Sequence, residues 1–374
     1  MAVRQGTVER HQMIRPENEA ELSAAIAGAN GPLRIIGGGT RTVGRAQGEV
    51  LSTAGLSGIS LYEPGALTIV AGAGTPLAEI EAALAAENQR LPFEPPVMGA
   101  LTGAAGESTI GGVVAANASG PRRIQAGACR DSLIGVRFVD GRGDIIKNGG
   151  RVMKNVTGYD LVKLLAGSHG SLGVISEVAF KVLPGVEAVT TVVLHGLDDQ
   201  TAVAAMSAAL CSPYEVSGAA HDPHHQKTML RLEGFAESVA YRSDKLCETL
   251  ARFGDAAVDD AVDWAVVRDA DMFDGGTGDL WRISVKPSDG PRVGAAIGAG
   301  RRLYDWGGGL IWAEVPAGFD LREAINGIGG HATLVRGQGC GPVFHPEPAP
   351  VAALSKSVRA QFDPRGILNA GIMD

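Results

Sequence analysis

With 374 residues the chain is long enough for two or three domains with sizeable cores, and too long for a disulfide-stapled scaffold. Its 53 glycines sit among 45% apolar residues without a Gly-X-Y triplet, which excludes collagen and disorder and points to backbone turns close to a ligand. Lys and Arg number 33 against 41 Asp and Glu, a formal charge of −8, so no overall basic field draws nucleic acid or anionic lipid. The four cysteines, Cys129, Cys211, Cys247 and Cys340, lie far apart with no CxxC pair, which reads as buried free thiols and excludes cysteine-ligated iron–sulfur clusters. The N-terminus lacks an apolar signal run, and no stretch reaches the ~18 apolar residues of a membrane span. A cytosolic chain is expected, at most held to a membrane by a partner.

In chain order, Pro16 starts an amphipathic helix carrying Leu22, Ala25, Ile26 and Ala29 and ending at Asn30–Gly31. Leu33 to Ile36 reads as a buried strand stopping at Gly37–Gly39. Thr68 to Ala71 is a strand, and Thr75 and Pro76 supply an N-cap and first residue for a helix carrying Leu77, Ile80 and Leu84. Residues 92–123 form a long Gly- and Ala-rich loop of the kind that is usually functional. Ile134 to Val139 and Asp144 to Lys147 flank Asp140–Gly141 as a hairpin. A helix over 160–166 and a strand through Val178, Phe180 and Val182 complete a first domain, 1–184. A second, α+β domain with a mainly antiparallel sheet spans 185–340, with strands near 189–194, 228–232, 281–286, 309–315 and 332–336 and helices near 199–210, 237–253 and 319–327. A C-terminal segment, 341–374, holds a helix near 350–362.

Two nucleotide motifs fail on inspection. GTRTVGRA at 39–46 has P-loop glycine spacing, but Arg45 and Ala46 stand where Lys and Ser/Thr are needed. GIGGHA at 327–332 follows a helix and enters a strand, the reverse of a dinucleotide-binding turn. What remains is three glycine-rich stretches in one domain: IIGGGTRTVG (35–44), GESTIGGVVAANASGPRR (106–123) and GSHGSLGVISE (167–177). Backbone N–H groups freed of side chains, with the hydroxyls of Thr40, Ser108 and Thr109, suit a pyrophosphate. Three such stretches together point to a long dinucleotide lying across the domain.

Gly37 to Thr40, STIGGVVAANASGPRR, VMKNVTGYDLVKLLAGSHGSLGVISEVAFKVLP and the closing FDPRGILNAGIM together resemble the vanillyl-alcohol-oxidase or PCMH-type FAD-binding flavoproteins. Within that family, LPFEPP, SGPRR, GRVMKNVTGYDL and WGGGLIW are most similar to the FAD-binding subunits of glycolate oxidases. The resemblance implies a two-subdomain PCMH-type FAD-binding domain followed by an α+β cap. It implies oxidation of glycolate to glyoxylate beside a second FAD-containing subunit and an iron–sulfur subunit. By position, Gly37, Gly38, Gly39, Thr40 and Arg41 are implied to hold the FAD pyrophosphate. Glu107, Ser108, Thr109, Ile110, Gly111 and Gly112, with Asn117, Ser119 and Gly120, are implied to line its second side and the isoalloxazine. Gly127, Gly170, Gly173, Val174 and Ile175 are implied to clasp the flavin or adenine end. Thr40 stands where members with covalently bound flavin carry a His, which implies non-covalent FAD.

The metal-binding histidine set of related 2-hydroxy-acid dehydrogenases has no counterpart here, and no metal is expected. His221, His224 and His225 in AHDPHHQK are the nearest imitation, and Pro223 with its polar neighbours reads as a hairpin turn, the alternatives being a metal site or a catalytic base. Arg122, Arg123, Lys154 and Arg336 are anion-binding candidates, and each equally suits an ion pair. Tyr159 and Asp160 could act near a flavin or open a helix. His345 and Lys154 are candidate bases, so the catalytic candidates are Arg122, Lys154, Tyr159 and His345. Trp281, Trp306 and Trp312 read as cap core. A stand-alone dehydrogenase of another 2-hydroxy acid, or a non-catalytic FAD-binding relay or assembly subunit, fits the same residues.

Overall fold

The computed structural model describes residues 13–41, 43–44, 46–150 and 158–373. An antiparallel five-stranded sheet runs in the order Ile59–Glu63, Thr68–Gly72, Val174–Lys181, Leu133–Val139, Ile145–Gly149. Beside it, Leu33–Ile36 pairs in parallel with Glu49–Ser52. The chain end returns to this pair: Leu33 N donates to Ile367 O at 2.7 Å, and Asn369 N to Leu33 O at 2.9 Å.

The remaining large sheet is antiparallel and eight-stranded, in the order Ala256–Val258, Ala188–His195, Lys227–Gly234, Gly218–Asp222, Arg301–Asp305, Leu310–Val315, Asp279–Val285, Gly330–Arg336. Strand alternation gives it two apolar faces. Trp281, Ile283, Ile311 and Ala313 pack with helices Asp199–Leu210, Ala236–Leu250 and Gly290–Ile297. Leu280, Leu310 and Trp312 face Met98 and Leu101, which belong with the five-stranded sheet to the part of the chain preceding this sheet, the first unit, the eight-stranded sheet and its helices being the second. Among the described residues, no helix is long and apolar enough to cross a membrane.

Local chemistry explains where expectation and structure part. The first helix runs Glu19–Ala27, because Asn18 supplies the cap: its Oδ1 accepts from Glu21 N at 2.9 Å, and its Nδ2 donates back to Glu21 Oε1 at 2.7 Å. Thr75 does not cap the helix Leu77–Ala86; its hydroxyl accepts from Gly58 N at 2.9 Å and donates to Gly72 O at 2.7 Å, tying two turns together. Asp140 builds the expected hairpin turn by accepting from Arg142 N and Asp144 N. The helix near 319–327 is a single turn, Leu321–Ala324. Cys129 is buried, but Cys211 and Cys340 are exposed.

A buried ion network locks the two units together. Arg231 forks onto Glu94 at 2.8 and 2.9 Å, and Arg122 onto Glu233 at 3.0 and 2.8 Å. Arg90 adds a third cation on Glu233 at 3.0 Å. Glu94 takes the left-handed conformation at φ 51°, which aims its carboxylate at the sheet.

Asp305 is buried nearby, and its carboxylate accepts from Trp306 N at 2.7 Å. Burial pushes its pKa up to about 7. The unfolded value is about 3.9, so this group's contribution to stability is present below that pH and is lost as pH rises towards 7. Asp305→Asn, which keeps an acceptor, is therefore expected to raise Tm relative to the parent at pH 8 more than at pH 5. Thermal denaturation at both pH values checks this.

Candidate functional site

The three glycine-rich stretches and the returning C-terminus meet around one cleft of about 400 Å³. Gly37, Gly38, Gly39, Thr40 and Arg41 line it as they leave the strand Leu33–Ile36, and Thr109, Gly111 and Gly112 line it beside them. Gly170, Gly173, Val174 and Ile175 close one side.

The glycines divide by what a side chain would meet. A Cβ on Gly38 would overlap the carbonyl oxygen of Glu107, so this glycine permits two loops to touch backbone to backbone. A Cβ on Gly112 would meet only Thr109 Oγ1, at 3.3 Å, and otherwise occupy the cleft itself. Gly38 shapes the wall, and Gly112 keeps the space in front of it open.

Arg41 supplies the charge. Its Nη1 donates to Ser108 Oγ and its Nη2 to Pro96 O, both at 2.5 Å, while Nε is buried with no partner among the described residues. No carboxylate pairs with it among those residues. Burial lowers its pKa to about 10, which leaves it a cation at neutral pH. A desolvated, fixed guanidinium with a spare donor on a cleft wall is suited to an anionic ligand.

Among the lining residues that the sequence does not single out, two have polar side chains with defined roles. His169 stands at φ 50°, its ring edge-on to Phe344 at 4.8 Å, and burial lowers its pKa to about 4, so it is neutral at pH 7. Asn369 clamps three segments: Oδ1 accepts from Ile35 N and Nδ2 donates to His169 O, each at 2.7 Å, while Leu33 O takes its backbone N–H. The closing NAG triplet carried the signal for Asn369.

Other expected cofactor residues stand behind the wall. Ser108 holds Arg41, and Ile110 is core. Asn117 Oδ1 accepts from Arg130 N at 3.0 Å, and Ser119 Oγ from Cys129 N at 2.9 Å. Gly120 O accepts from the Trp306 indole at 3.0 Å. Gly127 is the left-handed residue ending a short helix, at φ 84°, and Glu107 offers its backbone to Gly38.

The structure does not bring the catalytic candidates together. Arg122 is consumed by Glu233 and Glu94, a structural ion pair and not a free anion site. Arg336 is likewise taken by Glu314 at 2.9 Å and by the carbonyls of Leu101 and Phe273. Tyr159 is 89% exposed, and Asp160 caps the helix Leu161–Leu165. His345 Nδ1 accepts from Ala332 N and is not among the cleft-lining residues. Lys154 lies outside the described residues.

His221 is not in the turn that holds His224 and His225. It is a buried strand residue whose Nδ1 sits 2.9 Å from Thr228 Oγ1. Among the described residues, no group of three or more His, Cys, Asp or Glu is placed to hold a metal ion. Trp281 and Trp312 are core, whereas Trp306 is a half-buried residue at φ 52° on the seam between the units, flanked by Arg123 and Arg282.

A sequence family described as FAD binding domain matches residues 11–149. Glycolate oxidase subunit GlcE of Escherichia coli (strain K12) is 36% identical over 348 residues, covering 91% of this chain and 92% of that protein. A D-lactate dehydrogenase of Archaeoglobus fulgidus is 34% identical over 193 residues, 50% of this chain and 42% of that protein. Glycolate oxidase subunit GlcD of Bacillus subtilis (strain 168) is 36% identical over 130 residues, 35% of this chain and 27% of that protein. Among solved structures, an alkyldihydroxyacetonephosphate synthase superposes with TM-score 0.71 at 16% identity, covering 96% of this chain and 76% of that one. A 4-ethylphenol oxidase from Gulosibacter chungangensis gives 0.71 at 12%, covering 96% and 89%, and these two show the fold. With the cleft, the α+β architecture and a relative matched along nearly its whole length, the chain belongs to the PCMH-type FAD-binding flavoproteins, as an FAD-dependent oxidoreductase related to glycolate oxidase subunit GlcE.

Proposed function

We propose that this chain is the FAD-binding subunit of a glycolate-oxidising complex, in which glycolate becomes glyoxylate and electrons leave through FAD to a second flavoprotein subunit and an iron–sulfur subunit. The similarity to a glycolate oxidase subunit over 91% of the chain carries this reading. In the same reading, 1–184 is the FAD-binding domain, 185–340 the cap and 341–374 the segment returning to the flavin domain. The chain is cytoplasmic and reaches the inner membrane only through its partners.

The cleft fits the cofactor on its own chemistry. The unpartnered Nε of Arg41 and the backbone of Gly37–Thr40 would hold the pyrophosphate, and the open face at Gly112 would let it approach. Gly170 to Ile175 would clasp the ring system by main chain, with Asn369 fixing the loop before it. Thr40 stands where members with covalently bound flavin carry a His, which supports FAD held non-covalently. When bound, FAD supplies a two-electron acceptor for hydride from a carbon bearing a hydroxyl.

The titratable side chains among the described lining residues are Arg34, Arg41 and the neutral His169. None is a strong base, so removal of the substrate's hydroxyl proton falls to a group outside this lining.

Two results are expected on purifying a tagged chain from its native host. A second flavoprotein and an iron–sulfur protein co-purify with it, and acid precipitation releases its FAD into the supernatant. Flavin absorbance that stays with the precipitate contradicts the non-covalent assignment. A chain that brings down neither partner contradicts the complex.

A further inference from the structure

The seam between the two units holds a pair of cations without an ion pair among the described residues. Arg282 shares the face of the eight-stranded sheet that carries its cross-strand partner Trp312, turned towards the first unit. Its guanidinium carbon lies 5.1 Å from the centroid of the Trp306 ring. Arg123, from the end of the 106–123 stretch, places its own 4.5 Å from the same ring. Trp306 is fixed between the units by its indole bond to Gly120 O.

Neither guanidinium has a hydrogen bond or ion pair to any side chain among the described residues, although both are only half-buried at their surfaces. The neighbouring arginines differ. Arg122, Arg231, Arg301, Arg302 and Arg336 each hold a carboxylate.

We propose that Arg282 and Arg123 receive the carboxylate of the substrate, holding a small 2-hydroxy acid at the seam between flavin domain and cap. This rests on the reading of the chain as a hydroxy-acid oxidoreductase and supplies the substrate contact which that reading lacks. Two half-buried guanidiniums around one indole repel each other without a counter-ion, and the ring of Trp306 offsets only part of that cost. Burial pushes Arg282 down to about 10, with Arg123 adding to the shift, yet both remain cations at neutral pH. The carboxyl group facing Arg282, Asp305, is itself held up at about 7 by burial and is engaged by Trp306 N. His331, on the adjoining strand, has its pKa lowered by burial and by the charge of Arg282. A planar carboxylate matches the guanidinium fork, which a lone hydroxyl or aldehyde does not.

Calorimetric titration of the FAD-loaded chain tests this, with glycolate, lactate, acetate, ethylene glycol and inorganic phosphate as probes. Glycolate and acetate are expected to bind, and ethylene glycol is not. Arg282→Gln and Arg123→Gln are each expected to weaken carboxylate binding at least about tenfold, the scale of one lost charge-assisted hydrogen bond, with flavin per chain unchanged. Arg252→Gln, at an exposed arginine stacked on Phe253, is the control and should bind as the parent does. If Arg282→Gln does not fold, Arg282→Lys keeps the charge without the fork and should still weaken binding.

Carboxylate affinity unchanged within about twofold in both Gln variants overturns the proposal, as does phosphate binding tighter than either carboxylate. A parent chain that binds no carboxylate also overturns it, while partner capture and flavin content still report on the complex. Arginine-dependent binding that prefers a larger hydroxy acid upholds the site and overturns glycolate as the substrate.

Discussion

Glu94→Ala is expected to lower stability by about 3–5 kcal/mol, the cost of leaving a buried charge without its partner. Arg231 is 2% exposed at its side chain, and Glu94 takes both of its terminal nitrogens, so the truncation removes its forked carboxylate partner and leaves it only Glu233, at 3.8 Å, and Ser217. Denaturant unfolding of parent and variant measures the loss, and a difference under about 1 kcal/mol, the worth of an exposed pair, would show the network to be dispensable. The pH dependence follows from the same groups. Burial alone would raise the Glu233 carboxyl, but the hydrogen bonds from Arg122 and the charge of Arg231 hold it at about 2, and Glu94 is likewise held below its ordinary value. Both folded values lie below the unfolded value of about 4.3, so this stabilisation is present above that pH and is lost as pH falls towards 2. The gap between parent and Glu94→Ala should narrow over that window.

Gly112→Val is expected to abolish FAD retention while leaving the fold within about 1 kcal/mol of the parent, because the added atoms enter the cleft and Gly is itself a poor helix residue. Gly38→Val makes the contrasting case. Its Cβ collides with the backbone at Glu107, so flavin and folding should be lost together. Flavin absorbance per soluble chain, read beside the unfolding midpoint, separates the two. Full occupancy in Gly112→Val would show that the open face at this glycine is not where the cofactor sits.

The sequence speaks clearly where the chemistry is local. Leu33–Ile36 is legible because an apolar run ends in three glycines, and the glycines after it fall on the cleft. The hairpin at Asp140 and the cap at Asp160 are likewise set by side chains bonding a few residues away. Arg122 is misleading because its partners, Glu94 and Glu233, lie 28 and 111 residues distant, and a guanidinium in a sequence carries no sign of whether it is already paired. Asn369 reaches Ile35 across 334 residues, which no local pattern discloses. Short strands such as Gly218–Asp222 and Arg301–Asp305 lack a run of β-branched residues and take their form from their neighbours in the sheet.

The central claim, that FAD in this chain lies on the path from glycolate to the acceptor, is tested most directly by anaerobic mixing with glycolate, comparing the FAD-loaded chain alone with the assembled complex. Flavin bleaching in the complex should be complete within about a second, the time set by ordinary turnover of 1–10³ per second, and slow or absent in the chain alone, whose cleft carries no strong base among the described lining residues. Rapid bleaching of the isolated chain would place a complete active site within it. A complex assembled on Gly112→Val that still passes electrons from glycolate at the parent's rate would contradict the account.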